Sequence, residues 1–125
     1  MKFLIVGLGG MLGAVSRYGF YQLFDRYLET IFPYGTFMVN MGGSFLLGIV
    51  YGLVQRGNVL PQEWSLFLAV GFCGSFTTYS TFAYENFLLL GDSKFLAMLV
   101  YSGLSLIVGI LVTYLGYLAS TYGTW

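Results

Sequence analysis

The chain has 125 residues, of which 58% are hydrophobic and only 8% charged. A soluble domain carries about 25% charged residues to face water, so this composition marks a membrane protein. Five basic against five acidic residues leave no electrostatic footprint for nucleic acid. One cysteine, Cys73, and no histidine remove a zinc set, a disulfide framework and any histidine-based catalytic arrangement. No enzyme is expected.

The charges punctuate the chain. The first apolar run follows Lys2 and covers residues 3–24 if Arg17 is tolerated. It leads into further spans and shows no clear small-residue cleavage site, so it is read as a helix and not as a signal peptide. Thr30 to Gln55, Trp64 to Tyr84 and Phe95 to Trp125 are free of charge. Each reaches the roughly 20 residues needed to cross a bilayer as a helix. The reading is one domain, 1–125, with helices near 3–24, 34–54, 64–90 and 95–120.

An even number of spans puts both termini on one side, with Lys2 and Arg56, while Arg26 and Lys94 lie on the other. Topology follows an excess of Lys and Arg on the cytoplasmic side, and here there is no clear excess. Either the bias is weak and the topology fixed, or the chain inserts both ways and pairs antiparallel with itself. Gly9 and Gly13, then Ser44, Gly48 and Gly52, recur at helical spacing and allow helix backbones to approach closely. They imply a bundle and nothing about cargo.

The third span holds the least membrane-like stretch, Gly74-Ser75-Phe76-Thr77-Thr78-Tyr79-Ser80-Thr81-Phe82. As one straight helix, Trp64 to Gly91 would run about 40 Å at roughly 1.5 Å per residue, longer than a bilayer core of about 30 Å. Gly and Thr are poor helix formers. A break at Gly74–Thr78 is expected, freeing carbonyls of the kind that bind Na⁺ at membrane depth. The alternative is a continuous tilted helix whose hydroxyls bond back to their own carbonyls.

Polar groups in the other spans point to a path. Asn40 places a costly amide near the start of helix 2, where it either bridges helices or offers two donors to a solute. Tyr101, Ser105, Gly109 and Thr113 form a stripe on helix 4. With Ser80 and Thr81 they make a track of hydroxyl donors. Tyr79 and Phe82 add rings with positive edges. Arg17 and Glu85 are the ionisable groups nearest the membrane interior; each either snorkels to the interface or faces an internal cavity. For Arg17 the second case is a cationic vestibule. Donors with almost no carboxylate favour an anion, which this chemistry leaves unnamed.

At these residues the sequence resembles the Fluc (CrcB) family of fluoride channels. Three blocks carry the resemblance: Gly9-Gly10-Met11-Leu12-Gly13 through Arg17-Tyr18; Gly35-Thr36-Phe37-Met38-Val39-Asn40 through Gly43-Ser44-Phe45; and Gly71-Phe72-Cys73-Gly74 through Thr77-Thr78-Tyr79-Ser80-Thr81-Phe82 to Glu85. The resemblance implies an all-α membrane fold of four spans with helix 3 broken, assembled as a dual-topology antiparallel homodimer with two fluoride pores. It also implies a structural Na⁺ at the dimer centre, held by the backbone carbonyls of Gly74 and Thr77 from each subunit. Asn40, Tyr79, Ser80, Thr81, Phe82, Tyr101 and Ser105 fall on the family's pore positions, and Arg17 on its vestibule residue. Glu85 closes the third block as an end of the pore. Tyr79 stands where the family has its first pore phenylalanine, and Gly109 where some relatives have serine.

The expected function is passive export of fluoride ion across a plasma membrane, most simply a bacterial one. A small dual-topology exporter of cationic drugs has similar size, but relies on a membrane-embedded carboxylate in helix 1. None precedes Asp25 here. A non-transporting subunit of a larger membrane complex is the third reading, and would be inert alone.

Overall fold

The computed structural model describes residues 1–27, 32–57 and 59–123. Thr30 and Trp125, which bound two of the charge-free stretches, lie outside the described residues. Among the described residues four helical spans are long and apolar enough to cross a membrane: Lys2–Tyr27, Tyr34–Gln55, Gln62–Gly91 and Phe95–Tyr122. The first two are helices α1 and α2, and the last is α6. The third is composite. It begins as α3 (Gln62–Ser65), widens into a π-helical segment (Leu66–Cys73), closes with the short turn α4 (Gly74–Phe76) and resumes as α5 (Tyr79–Gly91). This is an all-helical, multi-pass membrane protein.

Two backbone-level contacts build the bundle, and glycine permits both. Helix α2 packs along α6, where a Cβ on Gly48 would run into the Thr113 carbonyl and one on Gly116 into the Phe45 carbonyl. Helix α1 packs on the π-helical segment in the same manner. A Cβ on Gly9 would strike the carbonyl of Phe67, and one on Gly13 that of Phe72. The glycines are one α-helical turn apart and the carbonyls one wider π turn apart, so the two repeats stay in step. Gly71 answers from the other side, where a Cβ would lie 2.7 Å from the Val6 carbonyl oxygen. Lipid offers no hydrophobic drive for helix association, so such close van der Waals approach is what holds spans together.

The helix ends are set locally. Gly57 has φ +67 and closes α2 in the left-handed region that glycine adopts without strain. The Arg56 guanidinium reaches across to the last turn of α6, its Nη1 donating to the Ser120 carbonyl at 3.1 Å. Between α5 and α6, Lys94 N–H donates to Leu89 O at 2.9 Å and Ser93 N–H to Leu90 O at 3.1 Å. That pair of bonds is the Schellman closure.

The break in the third span is real and lies at the C-terminal edge of the expected stretch. Gly74 to Phe76 remain helical, while Thr77 (ψ 155) and Thr78 (φ −146, ψ 120) are extended. The hydroxyls explain the position. Thr77 bonds back to the Cys73 carbonyl with both its N–H (3.0 Å) and its Oγ1 (2.8 Å), ending one helix. Thr78 caps the next, its Oγ1 accepting from Thr81 N–H at 3.3 Å.

Candidate functional site

The break would be costly in hydrocarbon unless its backbone groups were satisfied within the protein. Asn40 does this. Thr78 N–H donates to Asn40 Oδ1 at 2.7 Å, and Asn40 Nδ2 donates to the Thr78 carbonyl at 3.1 Å. The amide thus replaces a neighbouring peptide. Asn40 thus bridges elements with Oδ1 and one N–H, and its second N–H lies outside these bonds.

The same contacts release backbone carbonyls. In a continuous α-helix Thr78 N–H would bond to Gly74 O, and Thr81 N–H to Thr77 O. The first is diverted to Asn40 and the second to Thr78 Oγ1. Gly74 and Thr77, the expected cation ligands, are thus among the residues whose carbonyls lose their helical donors at the break. Both line an open groove of about 600 Å³ with Asn40, Ser44, Thr78, Tyr79, Phe82, Ser102, Ser105 and Gly109. At the break the groove meets the carbonyl end of one helix and the N–H end of α5. The first favours a cation and the second an anion.

A smaller cavity, about 240 Å³, lies beyond α5 and is lined by Tyr21, Asp25, Thr36, Thr81 and Glu85 among others. Thr78 lines the groove and Thr81 the cavity, and their hydroxyls are 3.2 Å apart. Ser80 Oγ joins them at 3.3 Å from Thr78 Oγ1. The partition beside this hydroxyl cluster is aromatic. Phe82 packs on Tyr101 with ring centroids 5.0 Å apart, and Tyr101 donates to Glu85 Oε1 at 3.3 Å.

The sequence-derived residues thus fall into groups. Asn40, Tyr79, Phe82 and Ser105 line the groove together, the Tyr79 and Phe82 centroids lying 6.0 Å apart. Tyr79 is the most open, at 80% exposure. Thr81 and Glu85 belong to the smaller cavity, so Glu85 faces inward. Tyr101 is fully buried, with its hydroxyl turned to Glu85 instead of lying along one track with Ser105. Arg17 is half-buried on the α1 stripe between Gly13 and Phe20, makes no hydrogen bond or ion pair among the described residues, and lines neither cavity. The expectation of a lining almost free of carboxylate holds for the groove. It does not hold for the smaller cavity, where Asp25 and Glu85 stand together.

Sequence reasoning missed Thr36, Asn86 and Ser102. Thr36 donates to the Tyr21 hydroxyl at 3.3 Å inside the smaller cavity. A polar residue one turn before Asn40 was the available signal. The α6 stripe is also thinner than its spacing suggests, because Thr113 Oγ1 bonds back to the Gly109 carbonyl at 2.7 Å. Gly109 has room for more: an added Cβ would meet only the Met41 methyl, at 3.5 Å. Gly109→Ser is expected to fold like the parent, with a thermal midpoint in detergent within about 2 °C. A clearly lower midpoint would contradict this reading of the groove.

A four-span bundle, broken in its third span and opening on a groove of hydroxyls, amide and carbonyls, has the architecture of a membrane protein that passes small ions. The family model described as CrcB-like protein, Camphor Resistance (CrcB), matches residues 4–117. The chain belongs to the CrcB family. It is 42% identical over 116 residues to a protein of Gloeothece citriformis named fluoride-specific ion channel FluC, covering 93% of this chain and 94% of that one. An Ignicoccus hospitalis protein of the same name is 43% identical over 117 residues, with 93% of each chain covered. A third, from Flavobacterium psychrophilum, is 37% identical over 111 residues, covering 89% of this chain and 90% of that one.

Proposed function

We propose that the chain forms a fluoride-selective channel that lets the ion leave the cytoplasm down its electrochemical gradient. The observation that carries this reading is the break at Thr77–Thr78, braced by Asn40 and opening on a donor-lined groove. Fluoride enters cells as neutral HF from acidic surroundings and ionises in a near-neutral cytoplasm. A pore selective for the ion then allows the inside-negative potential to expel it. No covalent step is needed, and the protein is no enzyme.

Fluoride is small and strongly hydrated, so a pathway must replace its water with hydrogen-bond donors. Asn40 contributes its remaining N–H, Ser105 its hydroxyl, and Tyr79 and Phe82 their ring edges. Ser80 and Thr81 offer hydroxyls beside the aromatic partition toward Glu85, and Tyr101, its hydrogen committed to Glu85, contributes its ring. Arg17, half-buried and without an ion pair among the described residues, supplies the positive field of a vestibule.

In this reading two copies pair antiparallel at the plasma membrane and form two pores, in keeping with the balanced loop charges. The groove is open along one side, and a second copy would close it. Carbonyls released at the break fit a shared monovalent cation, since two copies double the oxygen set. Gly74 and Thr77 of each copy would hold a structural Na⁺, which supplies positive charge at the dimer centre. Replacing Na⁺ with N-methylglucamine should lower the thermal midpoint of the purified protein, whereas an unchanged midpoint would count against this site.

The function is tested in a bacterial strain lacking its own fluoride export. Expression of this chain is expected to restore growth in fluoride-containing medium. Continued sensitivity, with the protein inserted in the membrane, would refute the reading. A cation exporter is not favoured, because the membrane part of α1 carries no carboxylate before Asp25.

A further inference from the structure

The groove side of α6 carries two serines one turn apart, Ser102 and Ser105, and their hydrogens have different fates. The Asn86 amide decides this. Its Nδ2 lies 3.0 Å from the Phe82 carbonyl oxygen, which can only accept, so the amide nitrogen must be on that side. Oδ1 therefore faces Ser102, 3.0 Å away, and it too can only accept. The Ser102 hydrogen is thus committed to Asn86, and its lone pairs are what it can offer the groove. Ser105 Oγ is buried without a hydrogen-bond partner, so its hydrogen is available. The Asn86 amide also joins α5 to α6 at the turn carrying Phe82, whose ring rests on Tyr101.

We propose that Asn86 is a positioning residue for the ion pathway, acting through Ser102 and Phe82. It holds the Phe82 turn of α5 against α6 and makes Ser102 an acceptor toward the groove, leaving Ser105 as the α6 serine with an uncommitted hydrogen. An anion reaches Ser102 only through a water that donates to both, and reaches the covered Ser105 hydroxyl only after the side chains over it shift. This proposal rests on the channel reading above and adds two residues to it.

The test is a double-mutant cycle of parent, Asn86→Leu, Ser102→Ala and the double variant, with Ser102→Thr as the conservative control. Fluoride release from liposomes at clamped voltage and thermal midpoint in detergent are both read. Each single variant is expected to slow release about three- to ten-fold, the scale of one interhelical hydrogen bond. The double variant should be no slower than the slower single, and Ser102→Thr should keep the parent rate. A single variant at the parent rate, a double variant slowed by the product of both, or a slow Ser102→Thr would overturn the proposal. If the parent itself releases no fluoride, the channel reading fails. The midpoints then decide the pairing: non-additive shifts retain Asn86 as the residue that positions α5 on α6, and additive shifts reject it.

Discussion

Asn40→Asp is expected to reduce fluoride release at least about 100-fold, the loss that follows from roughly 3 kcal/mol of unfavourable interaction on the pathway. The substitution keeps size and shape and changes two things. An aspartate still accepts from Thr78 N–H, but its second oxygen faces the Thr78 carbonyl, where Nδ2 now donates at 3.1 Å. Two acceptors then oppose each other at the break. A carboxylate also places negative charge on the groove wall, repelling the anion that must pass. Electrode-recorded release from liposomes checks the rate, and the elution profile checks the fold. Release near the parent rate from well-folded protein would remove Asn40 from the pathway.

Gly48→Val is expected to cost the fold itself. A side chain at Gly48 points at the Thr113 carbonyl, and the backbone N of Tyr117 lies 3.0 Å from the same point. Backbone cannot rotate aside as a side chain does, so α2 and α6 must separate. Overpacking alone costs about 1–3 kcal/mol, and this site lies in the contact between the two spans that build one wall of the groove. The variant should aggregate or show a strongly lowered thermal midpoint. Gly7→Ala is the control, since nothing lies within 4 Å of a Cβ there, and it should behave as the parent. A Gly48→Val protein that elutes and melts like the parent would contradict the α2–α6 packing.

The spans were legible because charge is confined to their ends and the runs between are long enough to cross a bilayer. The break was legible because glycine and hydroxyl residues cluster in a span too long for the membrane. Its position at Thr77–Thr78 was not, since that depends on Thr77 bonding back to Cys73 and Asn40 reaching Thr78 from another helix. The π-helical segment was invisible for a related reason. Leu66–Cys73 is apolar all round, so periodicity cannot reveal one extra residue per turn, and the match to Gly9 and Gly13 is tertiary.

The candidate site was legible as residue types and less so as hydrogen-bond polarity. Spacing put Tyr101, Ser105, Gly109 and Thr113 on one stripe. It could not foresee that Tyr101 turns to Glu85, that Thr113 bonds back to Gly109, or that Asn86 takes the Ser102 hydrogen. Arg17 suggested a cationic mouth from its depth alone. The smaller cavity is lined by Asp25 of α1 and Glu85 of α5, with Tyr21 and Thr36.

Selective passage of fluoride is measured by ion release from loaded liposomes. Purified protein is reconstituted with K⁺ as counter-ion and an ionophore to clamp the voltage, in parallel fluoride-loaded and chloride-loaded vesicles. Rapid fluoride release with chloride retained is expected. Release of both ions, or of neither from folded and Na⁺-supplied protein, would contradict it.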